Sequence, residues 1–139
     1  MWDTTGAGTA SLTVSNGATF DVGTTSTILR IGQDGTGSLT INSGGTVNTA
    51  HAYIGEDAGA VGTATVSGVG TNFNAHDLNV GTIGGQGTVT ISSGAFLFGD
   101  AVIGGTGGSG TMTVTDAERN GRSPPARSTP LSSSKTMAR

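Results

Sequence analysis

The stretch Gln-Gly-Thr-Val-Thr-Ile-Ser-Ser-Gly at residues 86–94 decides the fold of this chain. Within it, Val89 and Ile91 alternate with Thr88 and Thr90, so apolar and polar side chains fall on opposite faces of an extended strand. The Ser-Ser-Gly that follows is typical of a turn, where glycine tolerates a positive φ. The stretch therefore predicts a short β-strand that has one apolar face and ends in a tight turn.

The same phrase recurs along the chain at a nearly constant spacing. Its first apolar residue stands at positions 12, 39, 64, 89 and 112, with steps of 27, 25, 25 and 23 residues. A second phrase, apolar-x-apolar-Gly, lies between the copies, at residues 29–32, 52–55, 78–81 and 101–104. Two phrases in a fixed order at one period indicate a structural repeat of about 25 residues.

A unit of this size cannot bury its apolar face alone, whereas stacked units share one core. Equivalent strands of neighbouring coils then pair at about 4.8 Å. No segment has apolar residues at helical spacing between caps. We therefore predict an all-β chain: a right-handed parallel β-solenoid (β-helix) of about four to five coils over residues 1–117, followed by a disordered basic tail over residues 118–139.

The alternation also predicts which side chains face the core. The expected inward residues are Leu12, Val14, Leu29, Ile31, Leu39, Ile41, Val47, Ile54, Val66, Leu78, Val80, Val89, Ile91, Ile103, Met112 and Val114. An outward ladder is expected from Thr13, Thr40, Thr65, Thr90 and Thr113.

The repeats alternate between two types. One continues after its strand with Ser-Gly-Gly or a similar turn, at residues 43–45 and 93–95, and the other with Ser-Gly-Val-Gly-Thr-Asn-Phe at residues 67–73. The full period is therefore about 50 residues, as from Leu39 to Val89.

Composition and charge narrow the function. The chain has 26 Gly and no Cys, and only 11% of its residues are charged, against about 25% in ordinary domains. Residues 1–117 carry one Arg and eight Asp or Glu, a net charge of −7, which repels nucleic acid. Residues 118–139 carry five Lys or Arg and one Glu, a net charge of +4, but no aromatic residue to stack on bases. We expect no nucleic-acid partner.

Candidate sites are few. His51 and His76 stand 25 residues apart at nearly equivalent points of the repeat, so stacked coils would bring them near each other. This placement leaves two interpretations: two solvated side chains, or a pair of metal ligands. Scattered acidic residues leave weak surface calcium binding open as an alternative; they are Asp34, Glu56, Asp57 and Asp100. The glycine runs at 84–87 and 104–108 contain no Asp and predict turns. We assign no metal, cofactor or catalytic residue.

Two other classes of function, an enzyme and an ice-binding or glycan-binding protein, fit the sequence less well. Enzymatic β-helices need clustered carboxylates, and neither such a cluster nor a Ser-His-Asp arrangement is visible, so we predict that the chain is not an enzyme. The Thr-x-Thr pairs at 63/65, 88/90 and 111/113 favour an ice-binding or glycan-binding β-solenoid as the alternative function. Ser11 and Ser38 interrupt that pattern.

Four segments carry a family resemblance. They are residues 62–73, 78–81, 85–94 and 101–104, and they resemble the autotransporter passenger-associated repeat, which occurs in type V secretion passengers and in some PEP-CTERM surface proteins. The resemblance covers residues 8–117. It implies a stalk segment of a secreted or outer-membrane surface protein, made as part of a longer precursor. Because uncapped coils expose strand edges, we expect adhesion to host surfaces or self-association through the faces and open ends of the solenoid. The resemblance implies membrane contact only through a C-terminal barrel missing from this chain, and it brings no catalytic residue.

The repeat stops after Ala117. The pattern predicts that Gly-Thr-x-aromatic comes next, but Glu-Arg-Asn-Gly follows instead. Shifting the implied codons back by one base permits Gly-Thr-Lys-Trp, which is the missing phrase in register. The tail is therefore interpreted as a frameshift product, with a natural disordered basic linker as the alternative. The start at Met1 has neither a basic region nor an apolar run, so these residues are not expected to direct export.

Overall fold

A computed structural model describes residues 8–115 and 128–133. Ten strands make up the regular structure: β1 (Thr9–Val14), β2 (Thr19–Ile31), β3 (Thr36–Asn42), β4 (Thr46–Ile54), β5 (Val61–Ser67), β6 (Asn72–Val80), β7 (Gln86–Ser92), β8 (Phe96–Ile103), β9 (Ser109–Thr115) and β10 (Ser128–Ser133). Strands β1 to β9 include the phrases in which the apolar-polar alternation predicts strands, and turns with glycine separate them.

The chain winds as a parallel β-solenoid. Odd-numbered strands form the first sheet, in the order β1-β3-β5-β7-β9 with β10 outermost, and even-numbered strands form the second sheet, in the order β2-β4-β6-β8. Each coil contributes one strand to each sheet, so β1 to β8 complete four turns and β9 begins a fifth. The predicted fold class is confirmed.

Neighbouring coils are aligned residue by residue in the first sheet. Thr13 pairs with Thr40, Thr40 with Thr65, Thr65 with Thr90, and Thr90 with Thr113. The predicted outward threonine ladder is therefore present in register. The residue before each of these threonines faces the core. The same alignment stacks these residues in one column, formed by Leu12, Leu39, Ala64, Val89 and Met112.

The core lies between the two sheets and contains most of the predicted inward residues. All of them are buried except Leu12, which is partly buried against the core, and Val114. Val114 continues the inward column of Ile91, as predicted, but it is 39% exposed. The reason is that β9 begins a coil to which the described residues contribute no strand of the second sheet, so the described structure has no such strand opposite Val114.

Alanines and one phenylalanine complete the core, and of these only Ala52 is expected to point inward, from the alternation in Ala52-Tyr53-Ile54. Ala52, Ala64 and Ala75 are fully buried, as is Phe73. In the second sheet, Leu29, Ala52, Leu78 and Ala101 occupy one column, so a large and a small side chain alternate from coil to coil. This alternation fills the interior without overlap, because side chains in adjacent coils are only about 4.8 Å apart.

Two columns of glycine mark the corner where each second-sheet strand ends and the next first-sheet strand begins. One column is Gly32, Gly55, Gly81 and Gly104, all with positive φ as the sequence predicts, and the other is Gly37, Gly62, Gly87 and Gly110. A Cβ on Gly81 would lie 1.9 Å from the carbonyl oxygen of Ser109, and one on Gly87 would lie 2.1 Å from that of Ile54. At this corner the backbones approach too closely for any side chain.

The tail differs in part from the predicted disorder. Residues 116–127 and 134–139 lie outside the described residues, but Ser128–Ser133 form β10, which pairs antiparallel with β9. The last strand of the stack presents unpaired N–H and C=O groups, and any extended segment that reaches them gains hydrogen bonds. This is the physical reason that a low-complexity segment forms a strand here.

Candidate interaction surface

The outer face of the first sheet carries two parallel columns of hydroxyl side chains. The first column is Ser11, Ser38, Thr63, Thr88 and Thr111, and the second is the threonine ladder from Thr13 to Thr113. Rungs repeat at about 4.8 Å between strands, and the two columns lie about 6.6 Å apart along each strand. The Thr-x-Thr pairs are thus brought together into one regular array, with serine at the first two rungs of one column.

His51 meets a carboxylate rather than the other histidine. The register of β4 and β6 places His51 opposite Asp77, and its Nδ1 lies 2.9 Å from Oδ2 of Asp77. Both side chains are substantially exposed, at 36% and 54%. Asp100 follows in the same column, opposite Asp77. The two histidines therefore do not form a pair through their register positions.

Glu56 forms the one pair of opposite charges that is largely removed from water among the described residues. Its Oε2 lies 2.8 Å from Nε of Arg30, and only 7% of Glu56 is exposed. The guanidinium carbon of Arg30 also lies 5.6 Å from the ring centroid of Tyr53, its register neighbour. Sequence reasoning placed Glu56 near a turn but missed this cross-coil pair, because the partners lie 26 residues apart.

The other acidic candidates do not converge. Asp57 accepts a 3.4 Å hydrogen bond from Gln33, and Asp34 is exposed. In the two described segments no three His, Asp or Glu side chains are grouped so that they could hold a metal ion. Cysteine is absent from the whole sequence.

The outer face of the second sheet changes from polar to aromatic at its last strand. Asn74 donates a 2.8 Å hydrogen bond from Nδ2 to Oδ1 of Asn48, but the next residue in this column is Phe98. Phe98 is 74% exposed, and Phe96, two residues earlier, is 62% exposed. Both face outward because Leu97, between them, continues the inner column of Phe73.

The aromatic pair was missed in the sequence, although a signal for it exists. The phrase Asn72-Phe73-Asn74 aligns with Phe96-Leu97-Phe98, so the two outward positions that hold asparagine in one coil hold phenylalanine in the next. Comparing the repeats position by position would have placed both phenylalanines on the outer face.

No helix in the part of the chain that the structure describes is long and apolar enough to cross a membrane. Comparisons of the chain with protein-family models, with curated proteins and with solved structures gave no match.

Proposed function

We propose that this chain is a structural stalk segment of a bacterial surface or secreted protein of the autotransporter kind. It acts as a spacer and display scaffold, and its faces and ends take part in adhesion or self-association. The observation that carries the proposal is the stack of parallel coils, whose first-sheet strands pair in register from β1 to β9. Each repeat of about 25 residues lengthens such a stack by about 4.8 Å, so the length of the stalk increases in proportion to the number of repeats.

The surface chemistry supports a contact role. The outer face of the first sheet is a regular array of hydroxyl groups, and the described ion pairs lie singly, at a corner and on the second sheet. A regular polar face suits many weak, repeated contacts with another surface better than it suits enclosure of a small substrate, which needs a concave pocket.

Location is tested on intact cells of the source organism. An antibody raised against the purified protein should label unpermeabilised cells or the culture medium, and brief treatment of the cells with protease should remove the cell-bound label. Labelling only after permeabilisation would overturn the proposed location and, with it, the stalk role.

Adhesion is tested with the purified chain immobilised on beads. Beads that carry the chain should adhere to other cells or to one another more than beads that carry an unrelated acidic protein of similar size. Equal adhesion of the two bead types would contradict a contact role.

A second candidate, ice binding or glycan binding through the hydroxyl array, is favoured by the in-register rows Thr63/Thr65, Thr88/Thr90 and Thr111/Thr113. Thermal hysteresis of the purified chain, compared with a Thr65→Tyr/Thr90→Tyr variant, tests the first activity, and a glycan array tests the second. Hysteresis that the tyrosines abolish would establish ice binding. Absence of hysteresis in the unmodified chain would exclude it.

A further inference from the structure

The two ends of the second sheet are open. The outer edge of β8 at one end and that of β2 at the other have no strand partner among the described residues. Each edge therefore presents backbone N–H and C=O groups in the spacing that a further parallel strand requires, except at the register shifts between Asp21 and Ile28 of β2 and between Phe98 and Asp100 of β8. Leu97 and Ala101, whose side chains face inward on β8, are only partly buried, because no second-sheet strand among the described residues lies beyond them.

The inward side chains of β8 and β2 follow each other in the order that the two-coil alternation of the repeat requires. Along the inner columns of the second sheet the sequence of side chains is Leu29, Ala52, Leu78, Ala101 and Phe20, Val47, Phe73, Leu97. Both columns alternate with a period of two coils, and the sheet contains four strands, which is two whole periods. A strand with leucine and phenylalanine at these positions would continue both columns after β8, and β2 has that pattern.

We propose that copies of this chain stack head to tail, with β8 of one copy pairing in parallel with β2 of the next. Leu97 then meets Phe20 of the second copy, and Ala101 meets its Leu29, so the core continues across the junction. The contact joins two different surfaces and does not close on itself, so it propagates into a linear assembly. The inference rests on the self-association part of the proposed function and names its surface and its partner.

The outer face supplies a charge-sensitive contact at the same junction. Asp21 heads the column that continues through Asn48 and Asn74 to Phe98, so stacking places Phe98 beside Asp21 of the second copy. The ring covers the backbone at the junction and loses water on docking. An acidic side chain in place of Phe98 would instead face a carboxylate at cross-strand distance, which is destabilising.

At the first sheet, β10 competes with the second copy. It covers the free edge of β9, to which β1 of the second copy would pair. β10 contains Pro130, which has no N–H to donate to the ladder, whereas β1 would extend all columns in register. Stacking therefore displaces β10, and β10 acts as a weak cap that limits assembly.

The first experiment is sedimentation velocity on the full chain over a wide concentration range. The unmodified chain should form species larger than a dimer as its concentration rises, and more so at high salt, because salt screens the repulsion between copies of net charge −3. Phe98→Asp should weaken assembly at least tenfold, and Phe98→Lys, which faces Asp21, should weaken it much less.

Val69→Asp and Val69→Lys are the matched controls. Val69 is 79% exposed and lies in the turn between β5 and β6, away from both ends, so these variants repeat the charge changes without touching the junction. Both should assemble as the unmodified chain does. A monomeric unmodified chain at every concentration, or equal effects of Asp at positions 69 and 98, would overturn the proposal.

The cap is tested with Thr129→Pro/Ser132→Pro. The amides of these residues point in opposite directions, so at least one of the N–H groups removed is directed at β9. This variant should assemble at a lower concentration than the unmodified chain, and unchanged assembly would overturn the displacement of β10. Circular dichroism establishes that each variant is folded. Failure of the cell-surface labelling would leave these results standing, since they depend only on the purified chain.

Discussion

At the scale of single residues, glycine sets how closely the two sheets approach. Gly87 lies in the middle of one glycine column, and an added Cβ would meet the backbone of Ile54 and of Gly81. Backbone atoms in a stacked coil cannot move without shifting the neighbouring coils, so overlap here cannot be relieved locally.

Gly87→Ala should therefore destabilise the chain by about 3 kcal/mol or more, at the upper end of the cost of overpacking. Thermal unfolding followed by circular dichroism measures the loss. Gly8→Ala is the control, because a Cβ at Gly8 meets nothing within 4 Å. Equal stability of the two variants would contradict the close approach at the corner.

Thr82 carries a buried hydroxyl without a partner. It is 8% exposed, and its Oγ1 makes no hydrogen bond in the described structure. Thr82→Val keeps the shape and removes the desolvated hydroxyl, so we expect the variant to be more stable by about 1 kcal/mol. A lower midpoint of denaturant unfolding than in the unmodified chain would mean that the hydroxyl has a partner.

The Arg30–Glu56 pair joins the first coil to the second. Arg30→Met leaves the Glu56 carboxylate nearly buried without its partner, and we expect a loss of up to about 3 kcal/mol. Adding Glu56→Gln removes the unpaired charge and should recover part of that stability. A double-mutant cycle with zero coupling between the two substitutions would contradict the interaction.

At the scale of the element, the position of a strand in the stack decides what its side chains contribute. Val66 on β5 is fully buried between coils, whereas Val114 on β9 is 39% exposed, although both end the same repeated phrase. The same residue in the same local sequence thus has two environments.

Val66→Ala should cost about 2 kcal/mol, from the loss of buried methyl groups and the cavity that remains. Val114→Ala is the matched control, and its loss of stability should be only a few tenths of the loss caused by Val66→Ala. Urea unfolding of the two variants checks the difference, and equal costs would show that Val114 is covered in solution.

Strand existence and direction were predictable because the period-two alternation is local. The length of β2 was not. It has 13 residues, with register shifts between Asp21 and Gly23 and between Gly23 and Ile28. The extra residues lie between these shifts on a strand that forms the edge of the described second sheet, and the apolar pattern carries no trace of their path.

At the scale of the whole molecule, the strands of each coil pair only with strands of the neighbouring coils among the residues of β1 to β9, so stability should be distributed as in a one-dimensional array. Amide hydrogen exchange should be slowest in β5 and faster in β2 and β8, which each pair on one side only. Mass spectrometry of peptic fragments measures this gradient. Uniform protection along the chain would indicate a single cooperative unit instead.

The sequence by itself determined the coil, its period and most of the residues that face inward, because all three follow from an alternation repeated at a fixed spacing. Only the tertiary structure decided the pairing of His51 with Asp77, the Arg30–Glu56 bridge and the position of β10. These features depend on the register between coils and on where the stack ends. Both are relations between residues distant in the chain, which no local pattern encodes.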